Sequence, residues 1–347
     1  MNNSITLKDI AKALNLSIST ISKALNDSYE ISVETKKTVL EYAKAQHYTP
    51  NRLAKGLKEG KSRSIGVVVC SLDNNFVAQM LDGIDQLSSD KQYQIIIMQS
   101  KESHNQEIAC LSLLYGGGVD GILISPACEK VDLGYLISLQ EKGLPIVLFD
   151  RLSDEIQTHK VGADNFKGAY DATQHLIDQG YKTIAHLNTN TKLSIASERL
   201  NGYKQALIDN GLQYRSELLR SCDYTDSQKM KEDLEEAIDY YMGLEHRPDA
   251  IFTATDQITT RCLSILFKKE YRVPEDIALI GFTNSDLADA LNPSLSTVYQ
   301  PAYEIGKLAA AKLIELIERK HDDIIFETIV LPTEIQIRNS TRKRLRS

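Results

Sequence analysis

From Ser64 onward, short apolar runs alternate with longer segments of helical periodicity, and this order limits the fold more than any other feature of the chain. Apolar runs of this length between polar or glycine residues are typical of buried strands. Strands that alternate with helices form parallel sheets, because each helix carries the chain back to start the next strand. The runs fall into two series and therefore predict an α/β body of two parallel-sheet lobes. They are 65–70, 95–98, 121–124 and 146–149, followed by 183–187, 250–254 and 277–281.

The first fifty residues have a different pattern, with helical spacing throughout. The segment from Thr6 to Asp9 matches a capping box, in which the threonine caps a first helix and the aspartate bonds back to the cap. After a tight turn, Ser17 caps a second helix, and a third helix begins after Ser32. The spacing predicts a small all-α helix-turn-helix head over residues 1–50. A generic helical interaction module would show the same spacing.

Charge is segregated along the chain. The formal net charge is -7, but residues 1–63 hold nine lysines and two arginines against six acidic residues, which makes this part +5. The rest of the chain therefore carries -12. Phosphate contacts depend on local rather than global positive charge, so a basic head on an acidic body fits a module that contacts DNA. A solvated basic face would have the same composition.

A short basic segment, residues 51–58, connects the head to the body and predicts a hinge helix. Ala54 and Leu57 lie on one side of it, with basic residues elsewhere. A helix of this length is not stable alone in water, and Gly56 costs it about 1 kcal/mol relative to alanine. We therefore expect the hinge helix and linker, residues 51–63, to be ordered only when something holds them.

Four stretches resemble the lactose-repressor (LacI/GalR) family of bacterial transcription regulators, and the resemblance covers nearly the whole chain. It implies a transcriptional repressor that binds a pseudo-palindromic operator in double-stranded DNA as a homodimer. It also implies that a small-molecule effector controls this binding from a cleft in the body. The stretches are TLKDIAKALNLSISTISKALN, YTPNRLAKGL, VPEDIALIGF and LSTVYQPAYEIG.

The same resemblance assigns the DNA contacts residue by residue. Ile18, Ser19 and Lys23 occupy base-reading positions of the recognition helix, and Leu57 matches a hinge leucine that wedges into the minor groove. Asn15 departs from the family, which usually has glycine there. Ile18 is a second departure, because it can touch a thymine methyl but cannot hydrogen-bond a base edge. The set is completed by positions that contact phosphates, cap helices or lie in the hinge: Thr6, Ser17, Thr20, Ser22, Asn26, Thr35, Asn51 and Ala54.

The body resembles the two-lobed periplasmic-binding-protein fold, in which the chain crosses between the lobes three times. We expect the crossings near Gly162, Leu291 and His321. Ligands of open α/β sheets bind beyond the carboxyl ends of the strands, so the cleft between the lobes is the expected site. The body, residues 64–338, then divides into lobe 1 (64–162 and 291–321) and lobe 2 (163–290 and 322–338), and residues 339–347 form a basic tail without a leucine heptad.

Polar and aromatic side chains follow the predicted strand ends, and several match effector-contacting positions of the family. Arg199 supplies a guanidinium fork, Asp150 and Asp256 supply carboxylates that accept from hydroxyls, and Phe76 supplies a ring for stacking. The combination suits a sugar or a sugar derivative, although each residue alone also fits a capped helix or a surface ion pair. Thr283 stands where many sugar-responsive members carry aspartate. The complete set is Asn74, Phe76, Asp150, Arg199, Tyr224, Asp256, Thr283 and Gln300.

Other functional classes lack their motifs. Five cysteines without a C-x-x-C pair predict reduced thiols, with no metal site or other cofactor. The segment from Gly116 to Gly121 spells G-x-G-x-x-G, but it follows a helix and precedes a strand, so it predicts a connecting turn rather than a dinucleotide site. Without a nucleophile, zinc or phosphate-loop motif we expect no enzyme. The sequence shows neither a membrane span nor a signal peptide, so we expect a cytoplasmic regulator rather than a solute receptor for transport.

Overall fold

The computed structural model describes six ranges of the chain: 5–48, 61–127, 132–189, 194–223, 226–319 and 324–342. Its contacts divide the protein into two compact units, Met1–Ser62 and Arg63–Ser347. The predicted hinge, with Asn51, Ala54 and Leu57, lies outside the described residues, and so does Tyr224.

The head contains three short helices whose starts are set by side-chain caps. Thr6 accepts a hydrogen bond from the backbone of Asp9 while the Asp9 carboxylate accepts one from the backbone of Thr6, so the predicted capping box is present. Ser17 and Ser32 cap the next two helices, each by accepting a bond from the backbone N–H three residues further on. The helices are α1 (Leu7–Leu14), α2 (Ile18–Leu25) and α3 (Val33–Ala45).

A tight turn and one small core complete the head. Asn15 has a φ of 51°, in the left-handed region that asparagine tolerates, so the turn forms without the glycine that is usual there. Ile10, Ile21 and Val39, one from each helix, are fully buried against one another. The predicted helix-turn-helix fold is confirmed.

Lobe 1 is built on a six-stranded parallel sheet. Its strands are β1 (Ser64–Val69), β2 (Gln94–Gln99), β3 (Gly121–Ile124), β4 (Ile146–Phe149), β5 (His159–Ala163) and β11 (Thr328–Leu331). They pair in the order β11-β5-β4-β3-β1-β2, and each pair is parallel. Helices α4 (Asn75–Asp90) and α11 (Ala302–Glu318) cover one face, and α5 (His104–Gly116) and α6 (Gly134–Glu141) cover the other.

Lobe 2 repeats this architecture with one antiparallel strand at its edge. Its strands are β6 (Ile184–Thr189), β7 (Leu219–Cys222), β8 (Ala250–Thr253), β9 (Ala278–Phe282), β10 (Ser296–Tyr299) and β12 (Glu334–Gln336). They pair in the order β12-β10-β9-β8-β6-β7, with β12 antiparallel to β10. Helices α7 (Asn165–Asp178) and α8 (Ser194–Asp209) cover one face, and α9 (Ser227–Gly243) and α10 (Asp256–Lys268) cover the other.

Both faces of each sheet are covered by helices, which explains why the strands read as continuous apolar runs rather than alternating ones. In lobe 1, α4 and α11 pack backbone to backbone. A Cβ on Gly83 would meet the carbonyl oxygen of Tyr303 at 2.0 Å, and one on Gly306 would meet that of Met80 at 1.9 Å. Only glycine allows this approach, so these two helices form one tightly joined pair.

The seven predicted strands are all present, with boundaries within two residues of the expected ones. The predicted turn at Gly116 to Gly121 is also confirmed, since α5 ends at the first of these residues and β3 begins at the last. Strand β7 matches a further short strand expected at 218–221, before Tyr224. Strands β5, β10, β11 and β12 are not predicted by the sequence. In β5 the first two residues are His159 and Lys160, so it lacks an apolar run. None of the described helices is long and apolar enough to cross a membrane.

Two of the three predicted crossings between the lobes are wrong. The first crossing lies at residue 164, between β5 and α7. The second lies near Gln300 rather than near Leu291, because β10 still pairs with β9 of lobe 2. The third lies at residues 332–333 rather than near His321, because β11 pairs with β5 of lobe 1. Lobe membership is decided by pairing with distant strands, which local sequence does not encode.

Residues 339–342 are not part of a free basic tail, as the sequence had suggested from residue 339 onward. Ser340 and Thr341 are fully buried against lobe 2. Ser340 Oγ donates to the carbonyl of Leu279 at 2.6 Å and accepts from the amide of Ser296 at 2.8 Å. The Ser340 hydroxyl thus satisfies buried backbone groups, and the Thr341 hydroxyl bonds His175 Nε2 and Ser296 Oγ, both at 2.8 Å, so the segment closes the lobe. Residues 343–347 lie outside the described part of the chain.

His186 makes lobe 2 sensitive to acid. Its ring is fully buried between Tyr203 and Phe252, with centroid distances of 5.0 and 4.8 Å. Burial lowers the pKa of His186 from 6.5 to about 4. As pH falls below 6.5 the unfolded chain takes up a proton at this position, and the folded chain does so only near pH 4. The contribution of neutral His186 to the free energy of unfolding is therefore fully present above pH 6.5. The free energy of unfolding falls by roughly 3 kcal/mol as pH drops from 6.5 to about 4.

We predict that His186→Gln reduces the loss of thermal stability between pH 7 and pH 4.5, whatever its effect at pH 7. His246→Gln, at an exposed position of the same lobe, is the control and should leave the pH dependence unchanged. Melting temperatures measured by circular dichroism across this pH range check the prediction. The same pH dependence in both variants would contradict it.

Candidate functional site

A cleft lies between the two lobes at the carboxyl ends of the strands of both sheets. In lobe 1, β2 and β3 pair with β1 on its two opposite sides. In lobe 2, β7 and β8 do the same with β6. Loops leaving such neighbouring strands diverge and open a crevice, which is where ligands bind in open α/β sheets. The cleft is lined from both of these points and has an empty volume of about 840 Å³, part of it open to solvent.

Seven of the eight predicted effector residues line this cleft, and the eighth, Tyr224, lies outside the described residues. The seven come from both lobes and from widely separated parts of the sequence. The fold therefore brings together ring faces, carboxylates, amides and a guanidinium around one space. They are Asn74, Phe76, Asp150, Arg199, Asp256, Thr283 and Gln300.

Arg199, on α8, is the centre of a buried hydrogen-bond network and is 5% exposed. Its Nε and Nη2 donate to Asn165 Oδ1 at 2.9 and 2.7 Å, and Nη2 also donates to Gln300 Oε1 at 2.8 Å. Its Nη1 donates to the carbonyl of Ala254. The guanidinium carbon lies 3.7 Å from the centroid of the Phe282 ring. Hydrogen bonds in the plane and a ring on one face fix the orientation of the guanidinium.

Two carboxylates reach the cleft from opposite lobes. Ser125 Oγ donates to Asp150 Oδ2 at 3.1 Å, and Thr283 Oγ1 donates to Asp256 Oδ1. Burial raises the pKa of both carboxyls above the ordinary value. For Asp150 the positive charges of Arg151 and Arg199 oppose that rise. These carboxylates are partly desolvated, so they gain from a ligand that donates hydrogen bonds.

Hydrogen bonds connect the lobes across the mouth of the cleft. Asn284 Nδ2, in lobe 2, donates to Gln79 Oε1 on α4 of lobe 1 at 2.7 Å. The same amide group donates to the carbonyl of Gln300 at 2.7 Å, and Asn284 Oδ1 accepts from the Gln300 amide at 3.0 Å. A second bridge joins Gln257 Nε2 to Asp73 Oδ1 at 2.9 Å. The network around Arg199 thus extends through Gln300 and Asn284 into lobe 1.

In the head, the predicted DNA contacts divide into caps and surface side chains. Thr6 and Ser17 cap α1 and α2. Asn26 follows α2 and donates from Nδ2 to the carbonyl of Ser22 at 2.7 Å. Ile18 is 49% exposed. Lys23, on α2, forms an ion pair with Glu30. The other surface positions lie on α2 or at the start of α3, and they are Ser19, Thr20 and Thr35.

Comparisons with known proteins decide the family. The family described as "Bacterial regulatory proteins, lacI family" matches residues 6–51, and a periplasmic binding protein-like domain matches residues 173–341. Catabolite control protein A of Priestia megaterium is 30% identical to this chain, over 97% of this chain and 99% of that protein. The chain belongs to the LacI family. Members of the LacI family matched here are transcriptional regulators, so the chain is a DNA-binding transcriptional regulator and not an enzyme.

Solved structures of LacI-family proteins agree with the fold. The transcriptional regulator CelR in complex with cellobiose is 27% identical, with a TM-score of 0.70 over 97% of this chain and 99% of that chain. The Lac repressor dimer bound to operator and the anti-inducer ONPF has a TM-score of 0.82 over 98% of this chain and 99% of that one. At 21% identity, the second match supports the fold alone.

The cleft also contains a buried ion pair, Arg151 with Glu102, that the sequence does not assign to the site. Arg151 Nη1 and Nη2 donate to Glu102 Oε2 and Oε1, both at 2.7 Å, and both residues are 6% exposed. Glu102 has a φ of 61°, so backbone strain accompanies the pair. A signal existed for both, because each follows the end of a predicted strand. Asn165 had no such signal, because β5 was not predicted.

We predict that Gln79→Ala opens the cleft in the ligand-free protein. The change removes the acceptor of Asn284 Nδ2, and a hydrogen bond of this kind contributes about 0.5–1.5 kcal/mol, which corresponds to a roughly 2- to 10-fold rise in open conformations. Hydrogen exchange at the Gln300 amide, measured by mass spectrometry or NMR, should accelerate accordingly. Gln86→Ala on the same helix, where the amide faces Asp90 at 3.4 Å, is the control. An unchanged exchange rate at Gln300 would show that the hydrogen bond between Gln79 and Asn284 does not hold the lobes closed.

Proposed function

We propose that this LacI-family regulator is a homodimeric repressor that binds a pseudo-palindromic operator, and that a sugar or sugar derivative in the cleft controls this binding. The observation that carries the proposal is the convergence of Asp150, Arg199 and Asp256 on one cleft between two lobes. A cytoplasmic location follows from the need to reach DNA.

The chemistry of the lining favours a polyhydroxylated ligand. Carboxylates with raised pKa accept hydrogen bonds from hydroxyls, and a guanidinium held in a fixed plane offers donors. The ring of Phe76 lines the same cleft and can stack on the apolar face of a sugar ring. The solved relative CelR carries cellobiose, which supports the same ligand class here.

Thr283 restricts the class of ligand that fits the cleft. A threonine donates one hydrogen bond to Asp256 and leaves a single carboxylate at this end of the cleft. An aspartate in its place would put two like charges side by side, and one of them would have to take up a proton. The effector of this chain therefore meets one acceptor group here instead of two, which argues against a simple hexose held by paired carboxylates.

The proposed mechanism is a shift between open and closed lobes. A ligand bridging Asp150 of lobe 1 and Arg199 of lobe 2 binds the closed state more tightly, and only such differential binding can shift the equilibrium. The shift then changes the order of the hinge at residues 51–58, where Leu57 is proposed to wedge into the minor groove. Coupling of this kind needs a few kcal/mol, because a short helix with a central glycine is itself marginal.

Within the head we assign base reading to Ile18, Ser19 and Lys23. Phosphate positioning is assigned to five polar residues of the predicted set, which are Thr20, Ser22, Asn26, Thr35 and Asn51. Contacts of the first kind carry sequence information, whereas contacts of the second kind fix the register of the helix on the duplex. Apart from the three base-reading residues and Leu57, the predicted DNA-binding set contains Thr6, Ser17, Thr20, Ser22, Asn26, Thr35, Asn51 and Ala54.

Lobe 1 offers a surface for the homodimer. Strand β2 lies at the edge of its sheet, and Ile96 and Ile97 there are 44% and 40% exposed. Leu113 and Tyr115, on the α5 helix that packs on β2, are also exposed. An exposed apolar edge strand is a liability that proteins usually cover. A second copy related by a two-fold axis would cover it and match the symmetry of the operator.

Operator binding should weaken steeply with salt. Each phosphate neutralised by the +5 head releases counterions, so log affinity falls linearly with log salt by about 0.9 per contact. Fluorescence anisotropy with an operator selected from random DNA, between 50 and 200 mM salt, measures the slope. Lys182→Ala, an exposed change in the body, should leave the slope unchanged. A flat salt dependence in the parent protein would refute DNA binding by the head.

Effector binding should depend on the guanidinium of Arg199 and not merely on its charge. A thermal-shift screen of sugars, sugar phosphates and uronates identifies the ligand, and the same titration then compares variants. Arg199→Ala and Arg199→Lys should both lose the shift, because an ammonium cannot reproduce two donors in one plane. Arg261→Lys, at an arginine that bonds Ser227 away from the cleft, should retain it. Unchanged ligand affinity in Arg199→Lys would remove this residue from the site.

A further inference from the structure

The base-reading lysine of the head has an acidic partner that the family assignment does not include. Lys23 Nζ forms an ion pair with Glu30, and the two side chains are 45% and 46% exposed. Glu30 lies in the turn between α2 and α3, seven residues after Lys23. The pair is therefore on the surface of the head beside the recognition helix, and it is accessible to a large ligand.

The turn that carries Glu30 has a fixed backbone. The amide of Ser28 donates to the carbonyl of Lys23 at 3.0 Å, and the amide of Ile31 donates to the carbonyl of Ser28 at 3.2 Å. Asp27 is held by Lys36 Nζ through its backbone carbonyl at 3.2 Å and its carboxylate at 2.7 Å. Ile31 packs against the core of the head. Glu30 is thus positioned by its neighbours, so its carboxylate stays within reach of Lys23.

Stability does not explain why a carboxylate lies at this position. An exposed ion pair contributes little to folding. Near DNA a negative charge also opposes phosphate binding, and the head otherwise depends on its net charge of +5 for affinity. A carboxylate is useful at such a surface when it accepts a hydrogen bond from a base. In the major groove the amino group of cytosine is the donor that glutamate typically reads.

We propose that Lys23 and Glu30 act as one unit that reads a single G·C base pair in each half-site. An ammonium has three donors, so Lys23 can keep one on Glu30 and offer the other two to N7 and O6 of the guanine. A carboxylate has two oxygens, so Glu30 can keep one on Lys23 and accept from N4 of the paired cytosine with the other. The proposal rests on α2 being the recognition helix and makes Glu30 a specificity-determining residue.

The order of groups in the major groove distinguishes this base pair from the other three. Read from the guanine, a G·C pair presents acceptor, acceptor and donor, which complements a lysine followed by a glutamate. An A·T pair places a donor between two acceptors, so the lysine loses one bond and the carboxylate faces the O4 acceptor of thymine instead of an amino group. A T·A pair puts the thymine methyl where the lysine would meet N7 of the guanine. A C·G pair presents the reverse order and puts the ammonium opposite an amino group. The ion pair therefore selects both the base pair and its orientation.

Selection of bound sequences from random double-stranded DNA tests the proposal with the full chain. The parent protein should enrich a G·C pair at one position of each half-site, and Lys23→Ala and Glu30→Ala should both lose the preference at that same position. Glu34→Ala is the matched control, because it removes the same charge from an exposed position in the first turn of α3. It should keep the preference. If the parent enriched no sequence at all, the proposed operator-binding function would fail, rather than this assignment alone.

Affinities for the selected operator and for a copy with that G·C pair changed to A·T give the size of the effect. In the parent the ratio should be about 5- to 100-fold, and in Glu30→Ala it should approach one. Nonspecific binding should rise equally in Glu30→Ala and Glu34→Ala, since each removes one negative charge. A ratio in Glu30→Ala equal to that of Glu34→Ala would overturn the proposal and leave Glu30 as a simple counter-charge. Loss at a different position from that of Lys23→Ala would overturn it as well.

Discussion

The buried guanidinium of Arg199 connects the segments through which the chain passes from one lobe to the other. Asn165 begins α7 directly after the first crossing, and Gln300 lies at the second, and both accept hydrogen bonds from this one side chain. Burying a charge is costly unless its donors are satisfied, so the acceptors must remain in place while the arginine is buried. The geometry of the crossings, and hence the relation of the lobes, depends on this group.

The hydrogen-bond network of the crossings lies in the candidate ligand cleft, which has a physical consequence for how a ligand could move the lobes. The lining of the cleft already contains strained and desolvated groups, since Asp150 and Glu102 both have a positive φ and Asp150 and Asp256 have a raised pKa. The desolvated carboxylates destabilise the folded state unless a ligand satisfies them, whereas the strained backbone is held by the surrounding fold. A ligand that bonds Arg199 also competes with or reinforces its bonds at the crossings. Ligand binding and lobe movement at the crossings would therefore involve the same atoms. Within the body, no further chain of residues is needed to couple the two.

Features of the fold that depend on neighbouring residues can be predicted from the sequence, and features that depend on distant residues cannot. The caps at Thr6 and Ser17 and the left-handed turn at Asn15 depend only on neighbouring residues, and the sequence predicts all three. Most central strands are equally readable, because both of their faces are buried, but β5 and β10 also lie inside their sheets and are not predicted. The crossing at residues 332–333 is misplaced because it depends on pairing between β5 and β11, which are more than a hundred residues apart. The crossing near Gln300 is misplaced because β10, which keeps the chain in lobe 2 by pairing with β9, is not predicted.

The cleft shows the same division. Side chains that follow a readable strand could be predicted, including Asp150 and Asp256. Asn165 could not, because its strand β5 is polar at its start and is buried only by its neighbours. Glu102 and Arg151 follow readable strands, but nothing in the sequence indicates that they pair with each other. Glu30 is similar, because α2 ends between Lys23 and Glu30 and only the folded turn brings the two side chains together.

The threefold crossing also determines when each part of the protein can form during synthesis. Lobe 1 needs α11 and β11, and lobe 2 needs β12 and the buried residues Ser340 and Thr341, so both lobes wait for the last part of the chain. The head is complete within its first 48 residues. Since domains fold as they leave the ribosome, a nascent chain presents a finished head long before it has a body. The cell thus makes the DNA-binding head before the body whose cleft is proposed to hold the effector.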